Sequence, residues 1–63
     1  MESRKVIAIL ESNGWTHCRT RGDHHQYHHP NNPKIITVIH PSKDLKKGTL
    51  KNIERISGLK FLK

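Results

Sequence analysis

Histidines are concentrated in one short segment of this chain, and they are the residues best suited to chemistry. His24, His25, His28 and His29 all lie in the segment 24–29, and the chain has six histidines in all. The unperturbed pKa of histidine, about 6.5, lets the imidazole accept or donate a proton near neutral pH. The chain is also strongly basic, with 12 Lys and Arg against 5 Asp and Glu and a formal net charge of +7. Together these features predict proton transfer on an anionic substrate, and nucleic acid is the first class to consider.

Two groups of basic residues accompany the histidine segment. One group precedes it directly, and the other follows the last predicted strand, so both can converge on a phosphate backbone. The predicted phosphate contacts are Arg19, Arg21, Lys43, Lys46 and Lys47. The alternative for each of them is a solvated cation that only keeps a small protein soluble.

The length of 63 residues predicts one domain over 1–63 with a small core. Cys18 is the single cysteine, so an internal disulfide framework is excluded, and we interpret this residue as a packing side chain of a strand. The chain shows no secretory signal pattern and no apolar run of membrane-spanning length. We therefore expect a soluble, cytoplasmic protein.

A helix is predicted at the start of the chain. Ser3 is the predicted N-cap, and the apolar residues that follow recur at spacings of three and four, which places them on one face. Asn13-Gly14 ends the helix, and Trp15 just beyond is predicted to fold back into the core. The apolar stripe consists of Val6, Ile7, Ile9 and Leu10.

Three strands and a second helix follow. The predicted strands cover 15–21, 24–29 and 35–39, with a turn at 22–23 and another at 30–33. Thr49 is the predicted N-cap of the second helix, and Gly58 ends it. The order α-β-β-β-α predicts an α+β fold in which a three-stranded antiparallel sheet carries two helices on one face and leaves the other face open.

Side chains alternate across a strand, so the even-numbered residues of 24–29 share one face and the odd-numbered residues share the other. Tyr27 is the only large aromatic residue in this segment and is the best candidate for the core. His24 would then lie on the open face, directly after a turn, where a substrate can reach it. His28 and His29 are more simply interpreted as polar residues of a solvated strand.

A metal site is the main chemical competitor for these histidines. On a strand no more than two of these histidines face together, as His24 and His28 do, and Asp23 is the only nearby carboxylate. Zinc sites need three or four convergent ligands. We therefore predict neither a metal nor any other cofactor.

Four segments of the chain closely resemble the HicA family of bacterial toxins. They are 22–30 (GDHHQYHHP), 36–41 (ITVIHP), 44–53 (DLKKGTLKNI) and 9–15 (ILESNGW), and the resemblance covers nearly the whole chain. The resemblance implies a messenger-RNA interferase with a double-stranded-RNA-binding-like fold, held inactive by an antitoxin called HicB. It also implies that His24 is the essential histidine, since it follows a glycine and a small polar residue and precedes Tyr27 by three positions. Asp23 stands where serine is commoner in that family, and Ile39 where proline commonly precedes the His-Pro pair.

The hypothesis that follows is a metal-independent endoribonuclease in which His24 is the acid or base. His40 and His28 are candidates for a second proton-transfer group, and Asp23 for orienting the imidazole. Two other classes stay open. One is a double-stranded-RNA-binding module without catalysis, which would depend on lysines more than on histidine. The other is an interaction protein whose exposed face docks a partner.

Overall fold

The computed structural model describes residues 1–61 and has the predicted α-β-β-β-α order. The three strands form one antiparallel sheet in the order β1-β2-β3. The predicted α+β fold is therefore confirmed. The elements are α1 (Ser3–Ser12), β1 (Thr16–Arg21), β2 (His24–His29), β3 (Asn32–Ile39) and α2 (Lys47–Ser57).

Both helices pack on one face of the sheet, which we call the inner face. The core lies between this face and the helices, and apolar residues from both helices and from β2 and β3 contribute to it. The opposite face carries no helix and is called the open face below. The buried apolar residues are Val6, Leu10, Trp15, Tyr27, Ile36, Val38, Leu45, Leu50 and Ile53.

Strand β1 is not covered by the helices, although the sequence predicts that they bury the whole inner face. All six residues of β1 are exposed. The reason is compositional, because THCRTR contains no large apolar side chain that burial would stabilise. β1 therefore reaches solvent on both faces at one edge of the sheet.

Neither predicted N-cap is confirmed. Ser3 is the first residue inside α1, where Glu2 is the N-cap, and the Ser3 hydroxyl accepts a hydrogen bond from the backbone N–H of Ser42 instead. Helix α2 begins at Lys47, two residues before Thr49, and its N-cap Lys46 makes no side-chain capping bond. At the start of α1 the Ser3 N–H donates to the Ser42 carbonyl of the loop after β3, and at the start of α2 the first backbone bond runs from the Leu50 N–H to the Lys46 carbonyl.

Strand β3 begins at Asn32, earlier than the predicted start at 35. Asn32 pairs with His29, so the connection from β2 is only two residues long and the predicted turn at 30–33 is too long. Pro33 is tolerated because β3 is an edge strand, where a missing N–H need not interrupt the sheet.

The predicted ends of both helices are confirmed. Gly58 follows α2 in the left-handed conformation with φ 76°, which glycine adopts without a steric penalty. Gly14 has φ 90°, and a Cβ at this position would lie 2.9 Å from Nε2 of His29. Trp15 is buried as predicted, and its ring centroid lies 5.2 Å from that of His29. His29 is thus half-buried and packs against the end of α1.

A candidate active site on the open sheet face

The strand register places His24 between a cation and an apolar side chain. His24 pairs with Arg21 of β1 on one side and with Ile39 of β3 on the other. Directly paired residues project on the same face of a sheet, so the three side chains form a row across the open face. We call Arg21, His24 and Ile39 the His24 row.

A β-bulge explains why both arginines of β1 share this face. The pairing shifts between His17 and Arg19, so His17 pairs with Tyr27 while Arg19 pairs with Gln26. An extra residue in one strand reverses the faces of the residues that follow it. Arg19 therefore lies on the open face next to the His24 row, with Gln26 and then Thr37 beside it. The sequence offers no glycine or proline to indicate this bulge.

His24 itself is accessible and faces one carboxylate. Its side chain is 56% exposed, and its Nε2 atom lies 3.5 Å from Oδ1 of Asp23, which is 62% exposed. The turn before β2 is fixed by Gly22 at φ 61° and by the His40 backbone N–H, which donates to the Asp23 carbonyl at 2.8 Å. A carboxylate in this place attracts the imidazole when the ring is protonated.

The inner face carries a second group of histidines that the sequence does not suggest. The ring centroid of His25 lies 5.6 Å from that of His17 and 5.1 Å from that of His40. The Thr20 hydroxyl contacts ring nitrogens of His17 and His25. His17 and His25 lie on the neighbouring strands β1 and β2, and His40 directly follows β3, so the pairing of the strands brings the three rings together.

Neither candidate for a second proton-transfer group has its ring next to the His24 imidazole. His28 is exposed on the same face, but four residues along a strand separate Cα atoms by about 13 Å. His40 packs against His25 of the inner-face group, and its Nδ1 lies 2.7 Å from the Ser3 hydroxyl oxygen. The backbone of His40 is thus next to the His24 row, while its ring packs among inner-face residues.

The three predicted lysine contacts lie on other elements than the arginines. Lys43 is in the loop after β3 and lines an open groove with Ser3 and His40. Lys46 and Lys47 cap and begin α2, in the helix layer. The predicted phosphate contacts are thus divided between the open face, which carries the arginines, and the helix-layer end, which carries the lysines.

Asp44 lies among these lysines in the chain but pairs with the amino terminus. The N-terminal ammonium of Met1 donates to Asp44 Oδ1 at 2.6 Å. This hydrogen bond and the positive charge hold the pKa of the Asp44 carboxyl below its ordinary value.

Two further properties concern metals and membranes. Within residues 1–61, no three or more His, Cys, Asp and Glu side chains are grouped so that they could hold a metal ion. In the same part of the chain, neither helix is long and apolar enough to cross a membrane.

Fold and site together define a small α+β domain whose open sheet face carries the exposed His24 and two arginines. The chain belongs to the HicA toxin family, since the family model described as the HicA toxin of bacterial toxin-antitoxin matches residues 3–59. The resemblance seen in the sequence is thereby confirmed.

A solved structure supports the same conclusion. A chain in the structure titled "HicA3 and HicB3 toxin-antitoxin complex" is similar to this protein with a TM-score of 0.85 and 36% sequence identity. The match covers 98% of this chain and 100% of that chain. A comparison with curated protein sequences found no significant match.

Proposed function

We propose that this HicA-family chain is a metal-independent endoribonuclease that cleaves messenger RNA in the cytoplasm, with His24 as the essential acid or base. The observation that carries the proposal is the His24 row. An accessible imidazole lies between a guanidinium and an apolar side chain and beside a carboxylate, on a face that no helix covers. General acid or base catalysis of this kind contributes about 10²- to 10⁴-fold in rate.

The reaction proposed uses the 2′-hydroxyl of the substrate as its nucleophile. Neutral His24 accepts the proton of this hydroxyl while the 2′-oxygen forms a bond to the adjacent phosphorus. The bond from phosphorus to the 5′-oxygen breaks, and that oxygen leaves as a hydroxyl after it takes a proton from water or a second group. The products are a 2′,3′-cyclic phosphate and a free 5′-hydroxyl, and water can then open the cyclic phosphate.

Arg21 and Arg19 are the proposed phosphate ligands nearest to this chemistry, because the register and the bulge place them on the face of His24. A guanidinium next to the reacting phosphate stabilises the negative charge that builds up on its oxygens. Lys43, Lys46 and Lys47 would bind phosphates further along the RNA, at the helix-layer end.

A HicB-type antitoxin is the proposed protein partner. The similar solved structure is named as a complex of HicA3 with HicB3, and the match covers all of the compared chain. The net charge of +7 favours an acidic partner surface that covers the basic face and His24 together.

Growth and cleavage assays test the proposal. Expression of the chain alone is expected to arrest bacterial growth, and His24→Ala is expected to relieve the arrest. His28→Ala is the matched control, because His28 is exposed on the same face of the same strand. Cleavage of RNA by purified protein is expected to persist in excess EDTA and to leave 5′-hydroxyl ends.

Three results would overturn the proposal. One is His24→Ala that stays as toxic as the parent at equal expression. The second is cleavage that chelation abolishes and a divalent metal restores. The third is RNA binding without any cleavage, which would favour the double-stranded-RNA-binding module instead.

A further inference from the structure

Two isoleucines are exposed on the open face, and one of them adjoins His24. Ile39 is 39% exposed and Ile35 is 46% exposed, and they are the exposed large apolar residues of the described chain, 1–61. Both project from β3 on the open face, since they alternate with the buried Ile36 and Val38. A single exposed isoleucine needs no explanation. The position of Ile39, paired directly with His24, gives it chemical significance.

The open face is divided by chemistry along its strands. Around His24, β1 contributes the cations Arg19 and Arg21, the middle strand contributes His24 and Gln26, and β3 contributes Thr37 and Ile39. One strand of RNA has the same division, because phosphates follow one side and bases the other. Across the His24 row a guanidinium is followed by an imidazole and then by an apolar group. The row spans two strand spacings, or about 10 Å.

We propose that Ile39 is a specificity residue that packs against the base of the nucleotide whose 2′-hydroxyl faces His24. The 3′-phosphate of the same nucleotide lies on Arg21. The order base, ribose, phosphate within one nucleotide then matches the order Ile39, His24, Arg21 across the sheet. This inference rests on the proposed function. It adds that the base is the part of the substrate that β3 contacts.

The arrangement requires an unpaired nucleotide. Ile39 can contact the face of a base only where the base is unstacked from its neighbours, which occurs in single strands and loops rather than in a duplex. Any base offers such a face, and a purine offers a larger one than a pyrimidine. A purine is therefore the expected preference at this position.

Ile39→Thr tests the contact, because threonine keeps the β-branched shape favoured in strands and removes apolar surface. Ile35→Thr is the matched control, since it makes the same change on the same strand and face, away from His24. The substrates are single-stranded DNA oligonucleotides with one ribonucleotide, which carries adenine, uracil or no base. Thermal unfolding of both variants confirms that they are folded, and Ile39→Phe provides a second variant that enlarges the contact.

Loss of the base is the informative change. In the parent and in Ile35→Thr, the abasic ribonucleotide is expected to lower kcat/KM about 5-fold, which is the low end of the range for a base stacked on an aromatic side chain. In Ile39→Thr the adenine substrate is expected to fall by a similar factor, and base removal is expected to have little further effect. Ile39→Phe is expected to keep or increase the effect of base removal. The inference is overturned if Ile39→Thr shows the full effect of base removal, or if its main loss is in antitoxin affinity rather than in RNA cleavage.

A binding measurement separates this inference from the proposed function. The same oligonucleotides with a 2′-methoxy group at the single site cannot be cleaved, and their dissociation constants report the base contact alone. A base effect on binding that depends on Ile39, with no cleavage by the parent, would sustain the inference and overturn the proposed function. Cleavage that depends on His24 would sustain the proposed function. If no effect of the base depended on Ile39 in the same experiment, the inference would be overturned.

Discussion

The hydroxyl oxygen of Ser3 lies 2.7 Å from Nδ1 of His40, which joins the first residue of α1 to the end of β3. Ser3 is 1% exposed, and the same hydroxyl accepts the backbone N–H of Ser42 at 2.9 Å. The other side of His40 packs edge-on against His25. These contacts give His40 a structural role between helix and sheet, which differs from the proton-transfer role considered from the sequence.

Ser3→Ala is expected to destabilise the fold by about 1–3 kcal/mol, because it leaves the Ser42 N–H and the His40 ring nitrogen without their partner. Urea unfolding followed by circular dichroism measures the change. Ser12→Ala is the control, since the Ser12 hydroxyl is exposed and bonds only to the Ala8 carbonyl of its own helix. We expect the control to stay within about 0.5 kcal/mol of the parent. Equal stability of the two variants would contradict the role assigned to Ser3.

The sequence predicts the element order, the ends of both helices and the exposed position of His24, because each depends on local signals. Gly14 and Gly58 end helices, and the alternation around Tyr27 sets the face of His24. The role of Ser3 could not be predicted, since its partner lies 37 residues away. The bulge between His17 and Arg19 could not be predicted from the sequence either. It is defined by how β1 pairs with β2, and the residue pattern of β1 alone does not determine this pairing.

The stability of the protein is expected to fall at high pH because of Tyr27. Burial and the nearby carboxylate of Glu11 raise the pKa of the Tyr27 phenol above its ordinary value of 10.0. Tyr27 therefore loses its proton at a lower pH in the unfolded chain than in the folded protein. The stability contributed by the neutral phenol is present below about pH 10 and is lost as the pH rises further.

Tyr27→Phe removes this ionisation and is expected to show a smaller loss of stability in the same range. Urea unfolding from about pH 8 to about pH 11 measures the free energy of unfolding of both proteins. The contributions of the lysines are the same in both, so they cancel in the difference between the two curves. Parallel curves for the parent and Tyr27→Phe would contradict the prediction.

The lysines at the helix-layer end are expected to contribute charge rather than chemistry. Replacement of Lys43, Lys46 and Lys47 together by Ala should weaken RNA binding and reduce the slope of log K against log salt by about 2, which corresponds to three lost single-strand phosphate contacts. Equilibrium titration of a non-cleavable RNA at several salt concentrations measures the slope. A variant with Lys5, Lys34 and Lys60 replaced by Ala removes the same charge from three lysines that are not among the proposed phosphate contacts, and it should change the slope less.

The same titration separates binding from catalysis. His24→Ala is expected to leave affinity and slope nearly unchanged while it abolishes cleavage, because a neutral imidazole adds little to the electrostatic attraction. If His24→Ala costs as much affinity as the triple lysine replacement, His24 is mainly a binding residue.

Asp23 is expected to have opposite effects on binding and on the chemical step. Its carboxylate lies 3.5 Å from Nε2 of His24, so it attracts the imidazolium that forms when His24 accepts a proton, and it repels the substrate phosphate. Both groups are more than half exposed. Each effect should therefore be near the value of a charge pair in water, which corresponds to about 5-fold in an equilibrium or a rate.

Asp23→Asn keeps the shape of the side chain and removes its charge. We expect kcat to fall about 5-fold and KM to fall by a similar factor, so that kcat/KM changes little. Steady-state kinetics on a single-site RNA measures both constants, and Glu11→Gln is a control that removes one exposed carboxylate from α1, away from the His24 row and the lysines. A fall in kcat with unchanged KM would assign Asp23 an orienting role alone. An unchanged kcat would show that its carboxylate does not act on His24 during the reaction.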